Sequence, residues 1–290
     1  MGSHHGGGNM KRVIVALTLT GTFMVVEVVG GILAGSLALL ADAGHMLTDT
    51  MALALAAVAF HVSKRPADAR RTFGYQRFQI LAAFVNGLSL LVIVGWILIE
   101  AVRRFVSPVE VAGATMLVVA AAGLVVNVIA FAVLHGGDRD NLNIRGAALH
   151  VAGDLLGSVA AIVAAVVIIY TGWMAIDPLL SVAVAFLILK SAWALVQQSG
   201  HVLLEGAPEW LDRDEMQRKI VERVPEVSGI HHVHVWGLTP DDLMLTMHVS
   251  LGEGVSDATS IVRRIKSTLK DDYGIGHSTI EVETADCADH

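Results

Sequence analysis

Six long apolar stretches follow one another along the first two-thirds of the chain. They cover approximately residues 13–35, 37–62, 78–102, 111–134, 144–171 and 178–196. A helix needs about 20 apolar residues to cross a hydrocarbon core of roughly 30 Å, and each stretch is about that long. The pattern therefore predicts an all-α membrane domain of six transmembrane helices over residues 11–207.

The pattern changes at Pro208, after which charged residues become frequent. The alternation of apolar and polar residues in "HHVHVW" and "LMLTMHVSL" is typical of β-strands. We expect a helix at 212–223, strands at 229–236 and 243–251, a helix at 257–273 and a strand at 278–284. This αββαβ order predicts a small α+β domain over residues 208–290. Residues 1–10, "MGSHHGGGNM", are expected to be a tag remnant or a disordered tail.

Composition places the chain among membrane proteins. Hydrophobic residues make up 54% and charged residues 16%, whereas about a quarter of the residues in an ordinary soluble domain are charged. The formal net charge of -7 argues against binding to nucleic acid. The one cysteine, Cys287, excludes an intrachain disulfide and fits a reducing cytoplasm.

The positive charges of the short loops predict the orientation, because cytoplasmic loops retain Lys and Arg. The side shared by both predicted termini carries Lys11, Arg12, Lys64, Arg65, Arg70, Arg71, Arg77, Arg139 and Arg145. The opposite side carries Arg103 and Arg104. Both termini are therefore expected in the cytoplasm, which requires an even number of spans and agrees with six.

Two of the predicted spans contain the same pair of polar residues. "GHMLTDT" places His45 four residues before Asp49 in the second span, and "ALHVAGD" places His150 four residues before Asp154 in the fifth. Residues four apart lie on one face of a helix, so each imidazole lies beside its carboxylate. Two nitrogens and two oxygens match a tetrahedral Zn²⁺ site. The sequence thus predicts a metal site between the second and fifth spans.

A different interpretation is that each pair forms hydrogen bonds between helices, as polar residues in membrane helices often do. The repetition of the pair favours metal binding over this interpretation. Asp42, one turn before His45, either holds the imidazole in place or caps the start of the helix, and both roles remain open. Asn86 and Asn127 are predicted to hydrogen-bond to neighbouring helices.

Three runs of the sequence resemble the cation diffusion facilitator family, particularly its bacterial and zinc-transporter-like members. They are "SLALLADAGHMLTD", "KRPADARRTFGYQRFQILAAFVNG" and "ALHVAGDLLGSV", and the likeness extends from about residue 12 to 287. The resemblance implies a homodimeric exporter that moves divalent cations out of the cytoplasm in exchange for protons. The loops lack the His-rich insertions of eukaryotic members, so a bacterial inner membrane is expected.

The resemblance also implies which residues bind metal. The family's transport site corresponds to His45, Asp49, His150 and Asp154, a set that favours Zn²⁺ without ranking Cd²⁺, Co²⁺ or Ni²⁺. The family's metallochaperone-like cytoplasmic domain, which dimerises, would bind metal through His231, His248, His277 and Glu283, with Cys287 added across the dimer. Metal bound there would tighten the dimer.

Two details of the cytoplasmic region limit this expectation. On an ideal strand His232 and His234 share one face and His231 takes the other, so the three cannot meet one ion. Alternatively, these residues are only surface and interface histidines. In the loop between the second and third spans, where some family members bind a further metal ion, Asp68 is present without a histidine. No metal site is expected in that loop.

Other classes of function require different residues. An intramembrane zinc enzyme needs an open coordination position and a general base, for which His-Glu-x-x-His is the usual sign. The sequence has no such motif, so no enzymatic activity is expected. A membrane protein in which the metal only locks the helices or serves as a sensor is the remaining alternative to a transporter.

Overall fold

The computed structural model of the chain describes residues 5–63, 65–135, 142–240, 242–252 and 257–283. Within these ranges only the backbone is described for residues 5–14, 17, 48–49, 52–57, 59–60, 63, 134–135, 142–150 and 152. The chain divides into two compact units: one of residues 1–55 with 85–195, the other of residues 56–84 with 196–290.

The first two-thirds of the chain form six long helices. They are α1 (His5–Ala34), α2 (Leu37–Ser63), α3 (Phe78–Val106), α4 (Gly113–His135), α5 (Leu142–Thr171) and α6 (Ile176–Leu203). Helix α1 begins at His5, several residues before the first apolar stretch, and the expectation of a tag remnant or a disordered tail over residues 1–10 stays a prediction. Apolar patterning marks the part of a helix that lies in lipid, whereas backbone hydrogen bonding can continue beyond it.

Four stretches within the described residues are long and apolar enough to cross a membrane. They are Phe78–Val106, Gly113–Val133, Gly153–Thr171 and Ile176–Leu203. Part of α1 and of α2 has side chains outside the description, and the apolar stretches described in these two helices, Thr18–Ala34 and Leu37–Leu47, are shorter. The structure therefore shows a helical membrane domain, and the count of six spans stays a prediction.

The six helices pack around two separate apolar cores. The first core is formed by α1, α2, α4 and α5, with buried residues that include Phe23, Met46, Met116 and Ile168. We call these four helices the four-helix group. The second core is formed by α3, α6 and the start of α2, with buried residues that include Leu37, Leu90, Ile97 and Ile188. Helix α2 is thus the element that contributes buried residues to both cores.

Small residues let the helices of the four-helix group approach closely, as is common in membrane helices. A Cβ at Gly30 of α1 would lie 2.5 and 2.9 Å from the two methyl carbons of Val119 in α4. We expect Gly30→Ala to reduce the free energy of unfolding by about 1–3 kcal/mol, because Val119 and α4 would have to move. The melting temperature of the purified protein in detergent measures this loss.

Gly95→Ala is the matched control for this prediction. Gly95 also lies inside a helix, α3, but a Cβ there would meet no atom within 4 Å. Alanine is the better helix former, so Gly95→Ala is expected to leave the melting temperature unchanged or slightly higher. Equal melting temperatures for the two variants would contradict the close approach of α1 and α4.

The second part of the chain forms the α+β domain predicted from the sequence. Its elements are α7 (Arg213–Arg223), β1 (Val227–Thr239), β2 (Asp242–Leu251), α8 (Ala258–Tyr273) and β3 (His277–Glu283). Strand β1 pairs antiparallel with β2, and β3 pairs parallel with β2. The small mixed sheet has the order β1-β2-β3. The parallel pairing requires the crossover that α8 provides.

Side-chain capping and apolar burial define the two helices of this domain. Asp212 caps α7 by accepting hydrogen bonds from the backbone N–H groups of Asp214 and Glu215. Gly274 caps the C-terminus of α8, and its φ of 67° fits the left-handed conformation. One face of the sheet forms a core with both helices, through residues that include Met216, Ile220, Val235, Leu245, Met247, Val249, Ile261, Ile265 and Leu269. The alternate residues of the strands lie on the opposite face of the sheet.

Candidate metal centres

Helices α2 and α5 approach each other beside the residues predicted to bind metal in the membrane domain. A Cβ at Gly157 of α5 would lie 3.5 Å from the Oδ1 atom of Asp42 in α2. Gly157 lies about one turn after Asp154, and Asp42 about one turn before His45. Asp42 also interacts electrostatically with both His45 and Asp154. The fold therefore brings one member of each predicted pair to the same region between the two helices.

The described members of the predicted quartet are shielded from solvent. Asp154 is 6% exposed, and His45 is half-buried; each makes further interactions within the chain. The backbones of Asp49 and His150 are helical, but their side chains lie outside the described residues. Their participation in a four-ligand site stays a prediction, which rests on the spacing of four residues along each helix.

Asp42 contacts α1 and does not cap α2. Helix α2 starts five residues earlier, and the N–H groups of Leu37 and Ala38 donate to the carboxylate of Asp177. Of the two roles left open by the sequence, capping is therefore wrong. The carboxyl group of Asp42 instead lies beside that of Glu27 of α1, which is 1% exposed. Polar side chains thus extend from the predicted quartet to a third helix.

The α+β domain gathers three histidines on its sheet. One ring nitrogen each from His231, His232 and His248 lies within 4.8 Å of the other two. His231 on β1 pairs directly with His248 on β2. Between His231 and His234 the strand holds one residue more than β2 does opposite it, and His232 has a φ of 49°. This β-bulge allows His231 and His232 to approach the same centre, which an ideal strand would not allow.

A buried carboxylate completes the cluster. Glu283 on β3 is 9% exposed, and its Oε1 atom is hydrogen-bonded to His248 Nδ1 at 2.9 Å. Its Oε2 atom lies 3.0 Å from His231 Nε2, but that nitrogen is not oriented for a hydrogen bond to it or to another described group. Glu281 lies at the edge, with its Oε2 atom 3.6 Å from His248 Nε2.

This set of donors fits a zinc ion. Imidazole nitrogens and a carboxylate oxygen are common ligands of Zn²⁺. Donors on a tetrahedral ion with bonds of 2.0–2.1 Å lie about 3.3 Å apart, so the rings need to close in by roughly 1.5 Å or less. The buried ring nitrogen of His231, which has no hydrogen bond to a described group, is suited to bind such an ion.

The strand register separates His277 from the cluster. His277 pairs with Met244, whereas Glu281 pairs with His248. Four residues of strand separate His277 from Glu281, which is about 13 Å along the sheet. The structure thus brings together three of the four residues expected for this site, His231, His248 and Glu283, and places His277 at the other end of β3. Cys287 lies outside the described residues.

The position of His232 was not accessible to reasoning from the sequence. Strand alternation places His231 and His232 on opposite faces, and only the bulge changes this. Two adjacent histidines inside a strand are the one signal that could have suggested it. The sheet around them explains why the bulge is tolerated: β1 is an edge strand, and bulges concentrate at edges.

The loop between α2 and α3 uses its acidic residue for its own structure. Asp68 accepts hydrogen bonds from the Tyr75 hydroxyl at 2.8 Å and from the N–H groups of Arg70 and Arg71 at 2.8 and 2.7 Å. The hydrogen bond from Tyr75, followed by those from the backbone, lowers the pKa of Asp68. Among the described residues, histidine, cysteine, aspartate and glutamate group into a potential metal site only in the cytoplasmic cluster.

Comparison with known families covers nearly the whole chain. The cation efflux transmembrane domain matches residues 13–204, and the cytoplasmic domain of cation efflux proteins matches residues 211–285. The zinc transporter ZitB of Pectobacterium atrosepticum is 51% identical over 99% of this chain and 89% of that protein. ZitB of Escherichia coli K12 is 49% identical over 96% of this chain and 89% of that protein.

A more distant relative shows similar coverage, and a solved structure matches part of the chain. A cadmium, cobalt and zinc/H(+)-K(+) antiporter of Bacillus velezensis is 43% identical over 98% of this chain and 91% of that protein. A solved structure, the metal-bound C-terminal domain of the CzcD transporter of Cuprividus metallidurans, is 32% identical over 25% of this chain and 99% of that one, with a TM-score of 0.24. With both of its domains matched, the chain belongs to the cation efflux, or cation diffusion facilitator, family of transporters.

Proposed function

We propose that this chain exports Zn²⁺ from the cytoplasm in exchange for protons. The observation that carries the proposal is the contact between the Asp42 side chain of α2 and Gly157 of α5, which lie about one turn from His45 and from Asp154, respectively. The names of the relatives support it, since two are zinc transporters and another is an antiporter of cadmium, cobalt and zinc. Cd²⁺ and Co²⁺ are therefore the next candidates as substrates.

The arrangement in the membrane forms part of the same proposal. We infer six spans, both termini in the cytoplasm and two copies per transporter, in a bacterial inner membrane. The match to the family's cytoplasmic domain supports the homodimer, and the bacterial relatives support the membrane. The charges of the loops support the orientation.

Proton exchange follows from the chemistry of the ligands. Histidine and aspartate bind a metal ion only when they are deprotonated, so protons and Zn²⁺ compete for the proposed quartet. Facing the cytoplasm, the site takes up the ion. Facing outward, protonation of His45 or His150 weakens coordination and releases it. Alternating access then requires that α2 and α5 expose the quartet to one side at a time.

The test is zinc uptake into proteoliposomes that contain the purified protein. With an acidic interior, protons leaving the vesicle should drive Zn²⁺ inward, and each pH unit contributes about 1.4 kcal/mol per exchanged proton. Uptake should rise with the gradient and stop when a proton ionophore collapses it. Zinc uptake that does not depend on the pH gradient would indicate a channel instead. Radioactive zinc that binds without crossing the membrane would favour the rival function, a sensor locked by its metal.

We further propose that His231, His232, His248 and Glu283 bind a regulatory zinc ion in the cytoplasmic domain. The shared centre of the three ring nitrogens and the contacts of Glu283 with two of them support this set. His277 is too far along β3 to join it within one protomer. Zinc bound to the cluster would tighten the dimer when the cytoplasmic concentration rises.

A further inference from the structure

A fully buried aspartate joins three helices at one end of the membrane domain. Asp177, in the first turn of α6, is 0% exposed. Its Oδ1 atom accepts hydrogen bonds from Ser36 Oγ at 2.6 Å and from Ala38 N at 3.2 Å. Its Oδ2 atom accepts from Leu37 N at 2.8 Å and from Arg104 Nη1 of α3 at 3.4 Å. We call Ser36, the first turn of α2, Arg104 and Asp177 the Asp177 joint.

The joint also holds the connection between α1 and α2. Gly35, with a φ of 65°, turns the chain between these helices, and its carbonyl oxygen accepts a hydrogen bond from Arg104 Nη1. Arg104 is further fixed by Glu100, whose Oε1 atom lies 3.2 Å from Nε. Successive helices alternate in direction across a membrane, so the α1–α2, α3–α4 and α5–α6 connections share one side. By the proposed orientation, this is the outer side.

The joint lies where the two apolar cores meet. In the first two turns of α2, Leu37 and Ala41 belong to the core with α3 and α6, while Ala38 and Leu39 belong to the core of the four-helix group. At the start of α6, Ile176 and Leu180 pack against the core of the four-helix group. Farther along α6, Ala185 and Ile188 pack in the other core. The two groups of helices are thus tied at their outer ends.

The joint is expensive to open. Asp177 has no exposed surface, and four donors from two other helices and the preceding turn meet its carboxylate. Separating α2 from α6 would remove three of these four donors from the buried Asp177 carboxylate, and it would leave the N–H groups at the start of α2 without their acceptor. A transport cycle that kept these bonds intact would avoid that cost at every turnover.

The proposed metal site lies at a distance from the joint, on the four-helix group. His45 is eight residues after Leu37, which is about 12 Å along α2. Asp154 lies on α5, a helix of the same group. A small rotation of this group about a fixed outer point would therefore shift the ligands relative to α3 and α6. The longer the distance from the fixed point, the larger is the displacement.

We propose that the Asp177 joint stays closed throughout the transport cycle and is the point about which the four-helix group turns against α3 and α6. Asp177 is then a positioning residue, which acts through α2 on the rate of the conformational change. The inference rests on the proposed transport by alternating access. It assigns to Asp177 and Arg104 a function that is separate from metal binding.

Two buried serines provide a matched test in proteoliposomes. Ser36 and Ser181 are both 0% exposed, but Ser36 bonds across helices whereas Ser181 Oγ bonds within α6, to the carbonyl oxygen of Asp177 at 2.7 Å. Ser36→Ala should reduce the maximal rate of zinc uptake several-fold, and Asp177→Asn by about tenfold or more. Neither should change the KM for zinc beyond about twofold, because the ligands stay within their own group. Ser181→Ala should behave as the wild type.

A cross-link between Ser36 and Asp177 distinguishes a joint that stays closed from one that opens in every transport cycle. The variant carries Ser36→Cys and Asp177→Cys together with Cys287→Ser, and Cys287→Ser alone is its control. In the reduced form the joint is lost and uptake should be slow. Oxidation, or a short bifunctional thiol reagent, ties α2 to α6 again, and uptake should stay at this level or recover.

Two results would overturn the inference. The first is uptake that stops on bridging and returns on reduction, because the joint would then have to open in every cycle. The second is an equal loss of rate in Ser36→Ala and Ser181→Ala, which decides the matter even if no bridge forms. Failure of the proposed function is a distinct result, since the wild-type protein itself would show no gradient-driven uptake.

Discussion

His45→Ala and Asp154→Ala are each expected to reduce zinc transport by more than about 100-fold. Each variant removes one of four proposed ligands, and the loss exceeds the 10- to 100-fold effect typical of residues that only support a metal ligand. Asp154 is buried, so solvent water cannot readily take its place as a metal ligand. Gradient-driven zinc uptake into proteoliposomes measures the effect.

The control for this experiment is His61→Ala. His61 lies on the same helix as His45 but is exposed, and its removal should leave uptake unchanged. Size-exclusion chromatography and melting temperature should show that all variants remain folded and keep the oligomeric state of the wild type. Normal uptake by either His45→Ala or Asp154→Ala would contradict the proposed transport site.

His45→Asp keeps a ligand at this position but replaces an imidazole nitrogen with a carboxylate oxygen, which is a harder donor. The variant should shift the metal preference from Zn²⁺ toward harder ions such as Mn²⁺.

His248→Ala and Glu283→Gln are expected to weaken zinc binding to the cytoplasmic cluster by at least about 100-fold. Glu283 contacts both His231 and His248, so its loss affects the orientation of two further ligands. The measurement uses the full chain with Asp154→Ala, which disables the transport site. Zinc should raise the melting temperature of this background according to the affinity of the remaining site. The rise should disappear in the two cluster variants.

His277→Ala and His234→Ala serve as controls on the same sheet. His277 pairs with Met244 and His234 with Thr246, away from the row of His248. Both variants should keep the zinc-dependent rise in melting temperature within experimental error. A complete loss of the rise in His277→Ala would favour the ligand set implied by the family resemblance over the set that the strand register supports.

Local pattern was sufficient for the elements and for part of the site. Strand alternation predicted the sheet of the cytoplasmic domain. Helical spacing predicted that His45 lies beside Asp49 and His150 beside Asp154, and the repetition of the pair predicted a shared metal site, which stays a prediction. The prediction that Asn127 bonds between helices is also confirmed, since its Nδ2 atom lies 3.2 Å from Ser158 Oγ of α5. These features depend on residues within a few turns of one another or on a side chain that has few other options in lipid.

Contacts between distant residues were not predictable in this way. Ser36 and Asp177 are 141 positions apart, and the periodicity of their helices gives no information about their pairing. Arg104 counted only as a positive charge in a loop until the structure showed its partners. The contact between the carboxyl groups of Glu27 and Asp42 is another pairing of distant residues that periodicity did not predict. The bulge at His232 inserts one extra residue into β1, and a prediction that assumes strict alternation of side chains along a strand does not allow for it.

The parallel pairing of β3 has a consequence for how the protein is made. Glu283, which links His231 to His248, is the last residue of the last strand, and β3 can dock only after α8 has crossed over the sheet. On the ribosome, the helices of the membrane domain are therefore synthesised and inserted before the cytoplasmic cluster exists. A newly made chain would therefore lack the proposed regulatory zinc site until its C-terminal strand has been synthesised and docked.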